Sequence, residues 1–202
     1  SQPSVYEPDL AMSYNNLGNF YSDESGRREE AEECYTKALE IRKRLAESQP
    51  SVYEPDLAMS YNNLGIFYKE SGRREEAEEC YTKALEIRKR LAESQPSVYE
   101  PDLAMSYNNL GIFYKESGRR EEAEECYTKA LKIYTRLAES QPSVYEPDLA
   151  MSCFSFGLFC LDADPDQAEE LLHLAFGIVQ KYRANDAACA GIYGLLKDYF
   201  EE

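Results

Sequence analysis

The chain has 202 residues and a formal net charge of −16, from 38 acidic and 22 basic side chains. So acidic a chain repels phosphate backbones and anionic bilayers, which argues against nucleic-acid and membrane partners. It holds no apolar run of about 18 residues and no basic-then-apolar leader, so neither a transmembrane helix nor a signal peptide is expected.

The acidity is concentrated in residues 140–202, which leaves room for a basic partner there. The first residue is Ser, not Met, and the chain starts in repeat phase with SQPSVYEPDL. A trimmed or designed chain, or a piece of a longer array, is the expectation. Six Cys are present, but Cys34, Cys80 and Cys126 are one position repeated, Cys153 and Cys160 lie seven apart, and Cys189 stands alone. With no C-x-x-C pair and a single His, His173, the chain offers no zinc spacing and implies no cofactor. Reduced thiols packed as small apolar groups are expected, in a cytoplasmic setting.

The words SQPSVYEPDLAMS return at Ser1, Ser48, Ser94 and Ser140. A fixed period of this kind marks stacked units, so repeats are expected over 1–47, 48–93, 94–139 and 140–184 as one domain of 202 residues, closed by a helix over 185–202. The first copy has one extra residue, in FYSDESG against FYKESG, and copies two and three differ only at Glu86/Lys132, Arg88/Tyr134 and Lys89/Thr135. Recent duplication and deliberate copying both give copies this alike.

Within each copy the periodicity predicts two helices. In copy one the first runs from Pro8 to Ser22. In copy two it runs from Pro55 to Glu70, with Leu57, Tyr61, Leu64 and Tyr68 on one stripe and Pro55 at the first helical position. Gly72 then breaks the pattern as a left-handed cap. The second helix follows over 74–93, with glutamates at its start and RKR near its end, matching the helix dipole. Pro50 and Pro96 are expected to stop such second helices. SQPSVYE reads as a connector that prolongs one helix or prefaces the other by about one turn, with Ser51-x-x-Glu54 as a capping box. Copy four keeps Gly157, Ala168 and Ala175 but writes CFSFG where the others write YNNLG. Its apolar excess suits a terminal repeat that meets a final capping helix. Copy one has no such cover for its first helix.

The residues Tyr61, Leu64, Gly65, Tyr68, Gly72, Ala77, Tyr81 and Ala84, and their counterparts in copies one and three, resemble a tetratricopeptide repeat. The long period is similar to the extended repeats of kinesin light chains. The resemblance implies an all-α fold: a right-handed α-solenoid of four antiparallel helix pairs plus a C-terminal capping helix. It also implies a non-catalytic scaffold for protein–protein interaction that binds an extended peptide segment along a concave surface lined by the first helices. The family's groove positions fall on Met12, Asn15 and Asn19; on Met59, Asn62, Ile66 and Lys69; on Met105, Asn108, Ile112 and Lys115; and on Met151, Phe154 and Leu158. An Asn amide pairs with both backbone groups of an extended peptide, and Met offers an adaptable apolar wall. The basic clamp by which some relatives grip a carboxylate is absent. The first Asn of each pair could equally be a solvated residue copied three times.

No enzyme constellation stands beside this. His173 sits among leucines without a readable nucleophile, no phosphate loop is present, and the glutamate runs serve the helix dipole. The alternative expectation is a structural spacer or engineered array whose uncapped N-terminal face self-associates end to end.

Overall fold

A computed structural model describes residues 3–24 and 26–201, without the side chains of residues 3–5 and 201. Residues 1, 2, 25 and 202, which the expected repeat boundaries and last helix include, lie outside the described residues. Among the described residues all regular structure is helical: α1 (Pro3–Asp23), α2 (Arg28–Ser48), α3 (Pro50–Glu70), α4 (Arg74–Ser94), α5 (Pro96–Glu116), α6 (Arg120–Ser140), α7 (Pro142–Cys160), α8 (Pro165–Tyr182) and α9 (Ala187–Glu201). The chain divides into two units, residues 1–99 and 100–202.

Each repeat is an antiparallel helix hairpin, closed by a turn whose chemistry the sequence announces. In copy two, Gly72 has φ +74°, Gly72 N–H donates to the Lys69 carbonyl at 3.0 Å, and Arg73 N–H donates to the Tyr68 carbonyl at 2.9 Å. This is a Schellman cap, which only a residue at ease with positive φ completes without strain. Across the turn the Arg73 guanidinium stacks on Tyr68 at 4.3 Å.

Of the two readings of SQPSVYE, the structure takes the second: the connector prefaces the first helix of each copy. Helix α3 begins at Pro50, not Pro55, so PSVYE is its opening turn, and Pro50 takes the first helical position. Pro55 lies inside the helix. Its ring removes one backbone bond, to the carbonyl of Ser51, but that residue is exposed to solvent. Two side chains support the added turn. Glu54 pairs with Arg90 at 2.7 Å, and Tyr53 packs on Ala11, Ile41 and Leu45. The same glutamate-to-cation pair recurs as Glu7–Arg44, Glu100–Arg136 and Glu146–Lys181. No capping box forms, because Ser51 is already within the helix and the N-cap residue Gln49 makes no side-chain cap bond.

In the first unit α2 packs against both α1 and α3. Tyr35 of α2 lies against Phe67 of α3 with ring centroids 5.5 Å apart. Arg42 of α2 is buried, and it donates to Ser60 Oγ at 2.8 Å and to the Asp56 carbonyl at 3.1 Å. Burial depresses the basicity of this guanidinium, while the Asp56 carboxylate partly restores it.

The second unit is built on Tyr127 of α6, which stacks on Phe156 of α7 at 5.4 Å and 17° and meets Phe159 at 5.4 Å. At the position of Arg42, α6 has Tyr134, and its hydroxyl turns to the Pro101 carbonyl of its own hairpin at 3.3 Å. Ser152, the counterpart of Ser60, donates instead to Asn108 Oδ1 at 3.1 Å. Asp164 and Asp186 cap α8 and α9 by accepting from Gln167 N–H and Cys189 N–H. Helix α9 covers α8 and touches α7.

All six thiols are buried and none forms a disulfide. Burial pushes Cys80 and Cys189 up to about 11 and Cys153 up to about 12. An unfolded thiol ionises near pH ~8.5. Between that point and pH ~11 the folded state holds more protons than the unfolded one, so stability falls as pH rises through this window. Alkylation by iodoacetamide at pH ~8 is therefore expected to be slow in the native chain and fast in urea. Native labelling as rapid as that of the unfolded chain would contradict this.

Candidate functional site

The expected site residues lie on one stripe of each first helix, at steps of three and four. In the first unit Met12 is 52% exposed and Met59 is also exposed. Asn19 is exposed, and its Oδ1 accepts from the Tyr35 hydroxyl at 2.7 Å. Ile66 and Lys69 are half-buried. Asn15 and Asn62 are buried, each at 6% exposure. Asn15 Oδ1 accepts from Asn63 Nδ2 at 2.9 Å, across from α1 to α3. That bond joins the first Asn of one copy to the second Asn of the next.

In the second unit Met105, Met151 and Leu158 are exposed, Lys115 is exposed, and Ile112 and Phe154 are half-buried against the core. Asn108 is half-buried and accepts from Ser152. The stripe therefore has two layers. Methionines stand outward, and amides beneath them bind helix to helix. Asn63 and Ser152 were not among the expected residues. The doublet Asn-Asn, repeated three times, was the available signal for the first of them.

A second surface lies elsewhere on α1. Leu10, Leu17 and Phe20 are exposed, Phe20 at 54%, whereas Phe67, its counterpart in α3, is at 4%. Ser13, exposed, returns its hydroxyl to its own Asp9 carbonyl at 2.9 Å. Arg27, the counterpart of Arg73, pairs with Glu24 and Glu30. Arg73 instead takes Glu76 of its own hairpin and Glu32 of the preceding copy.

Among the described residues no group of three or more His, Cys, Asp or Glu could hold a metal ion. His173 is exposed, with Nδ1 3.0 Å from the Glu169 carbonyl and its ring 4.2 Å from that of Phe200. No described helix is long and apolar enough to cross a membrane.

Successive antiparallel hairpins, the first three with a glycine under a tyrosine and a glycine-capped turn and the fourth with Gly157 under Leu172, define an α-hairpin repeat protein. The tetratricopeptide repeat model matches residues 9–90 and 56–136. The chain belongs to the tetratricopeptide repeat family, whose members are in general scaffolds for protein–protein interaction. No curated protein matches its sequence. Among solved structures it is similar to BtubC (BKLC) from P. vanneervenii, at 29% identity and TM-score 0.69 over 89% of this chain and 67% of that one. It is also similar in fold to pilF of Pseudomonas aeruginosa, at 24% identity and TM-score 0.61 over 96% and 72% of the two chains. A third is a putative kinesin light chain of Podosopora anserina with nearly identical repeats, at 20% identity and TM-score 0.58 over 96% and 93%.

Proposed function

We propose that the chain is a non-catalytic scaffold that binds an extended protein segment against the outward face of its first helices. The observation that carries this is the methionine found exposed at the same position of all four copies: Met12, Met59, Met105 and Met151. Large flexible apolar side chains held in water at one position of every repeat are a poor way to stabilise a monomer and a good way to meet varied partners. The neighbouring amides, Asn15 and Asn108 among them, hold the helices that present these methionines, and Asn19, Lys69 and Lys115 supply polar contacts beside them. The six buried thiols, none of them in a disulfide, support a reducing, cytoplasmic setting. End-to-end self-association has the exposed stripe of α1 in its favour and the charge of −16 per chain against it.

The test is a random-peptide selection on the chain, counter-screened on a variant with Glu at all four methionines. These side chains are exposed, so the helical circular dichroism should be unchanged. An enriched motif that the variant loses supports the reading. No enrichment, or a motif that binds both proteins alike, removes it.

A further inference from the structure

The repeat position held by Asp56 in α3 returns as Asp148 in α7, but its company changes. Beside Asp56 stands buried Arg42, whose guanidinium donates to the Asp56 carbonyl at 3.1 Å. Burial depresses the basicity of that arginine and the Asp56 carboxylate partly restores it. The helix that precedes α7 carries Tyr134 in place of the arginine, and the tyrosine hydroxyl is turned to the Pro101 carbonyl. Asp148 therefore loses a cation. It gains an anion from the other side. Asp186, half-buried at the start of α9, acts on it across the junction of α7 with α9.

Asp186 is fixed in place, since its Oδ1 accepts from Cys189 N–H at 2.8 Å as the N-cap of α9. Cys189 is fully buried there, and burial first, then Asp186 and Asp148, push its thiol up. No cation answers the two carboxylates among the described residues. Lys181 of α8 pairs with Glu146 at 3.2 Å, Arg183 lies over the Tyr193 ring at 4.1 Å, and Arg136 of α6 pairs with Glu100. What fastens α9 is apolar: Cys189, Ile192 and Leu196 are buried, and Tyr193 stacks on Phe176 of α8 at 5.4 Å. Helix α9 is seated by its apolar side and opposed at its first turn by two like charges in a half-buried place.

We propose that Asp148 and Asp186 form a pH-sensitive latch on α9. The helix is held more tightly when Asp148 is protonated. It opens more readily, uncovering Cys189, Ile192 and Leu196, when both carboxylates are charged. An aspartyl carboxyl in an unfolded chain ionises near pH ~3.9. With α9 seated, burial first and the Asp186 charge second push Asp148 above that value. Between the two values the seated helix holds more protons than the open one. Seating is therefore firmest below pH ~3.9 and weakens as pH rises through the folded value of Asp148. The latch rests on α7 and α9 and stands or falls apart from the methionine face.

Hydrogen exchange of the full chain, read by mass spectrometry on fragments of α9 and corrected for intrinsic exchange, measures the opening. At pH ~7.5, Asp148→Asn keeps the shape and drops the charge, and it should raise the protection of α9 about threefold or more. Protection in the unaltered chain should fall as pH rises from about 5 to about 7.5, and the variant should lose that slope. Asp198→Asn, which removes an equal charge from the exposed side of α9, should change protection little. The proposal is overturned if Asp148→Asn leaves the protection of α9 unchanged or lowers it, or if the slope survives in the variant. Equal protection from Asp198→Asn overturns it too, as does an equal gain in fragments of α6.

Discussion

Phe67→Ala is expected to cost about 3–5 kcal/mol of stability, whereas Phe20→Ala, the same change at the same repeat position, should cost less than about 0.5 kcal/mol. Both residues sit one position before the tyrosine that closes the first helix. Phe67 is sealed between α2 and α3 against the ring of Tyr35. Phe20 projects into solvent from the outer side of α1. Truncation at Phe67 removes buried apolar area and leaves a cavity that two packed helices close only in part. At Phe20 little area is lost and no cavity forms. Urea titration followed by circular dichroism measures the pair. Equal losses would mean that the first helix is covered in solution and that its outer face is not open.

The largest effect in residues 100–202 is expected at Tyr127. Tyr127→Ala should remove about 3–5 kcal/mol, because the ring is fully buried and holds Phe156 and Phe159 together. The same ring explains the glycine opposite. A Cβ built on Gly111 would stand 2.9 Å from Tyr127 Cδ1, so Gly111→Ala must displace a ring that has nowhere to move. The helix gains about 1 kcal/mol from alanine, and the overpacking costs about 1–3 kcal/mol, so a small net loss is expected. Combining the two changes should reverse the sign. In the Tyr127→Ala background the space is vacant, and Gly111→Ala should then stabilise by up to about 1 kcal/mol. A double-mutant cycle in urea reads this directly. Strict additivity of the two changes would show that the ring is not what makes the glycine necessary.

The architecture was legible because its signals are local and repeated. The period and the glycines of the first three turns act within a few residues of where they stand, and the small residues under tyrosine recur in three copies. PSVYE stayed between two readings, an extension of the second helix or a preface to the next first helix, for a good physical reason. Two prolines five residues apart bias a chain away from helix, and only contacts distant in sequence, Glu54 with Arg90 and Tyr53 with Ile41 and Leu45, reverse that bias. The site was half legible. The methionines are exposed where the stripe put them. The partner of Asn15 was not readable, since nothing in YNNLG says that its first amide meets the second amide of the next copy. That pairing is set by how far one helix slides along another, which is decided by packing.

The third second-helix differs from the two before it, and this bears on how the chain finds its fold. Helices α2 and α4 share all 21 residues, so their side chains cannot tell one landing place from another. A slip by one whole repeat keeps their contacts, and only the tether between helices opposes it. Helix α6 is different at Lys132, Tyr134 and Thr135. If α2 or α4 landed on α7, a guanidinium would stand where the Tyr134 ring fills the cluster that also holds Leu149 and Cys153. The junction of α6 with α7 therefore admits one partner. Refolding that nucleates there starts in the correct register, whereas refolding that begins among the identical copies has to search for it.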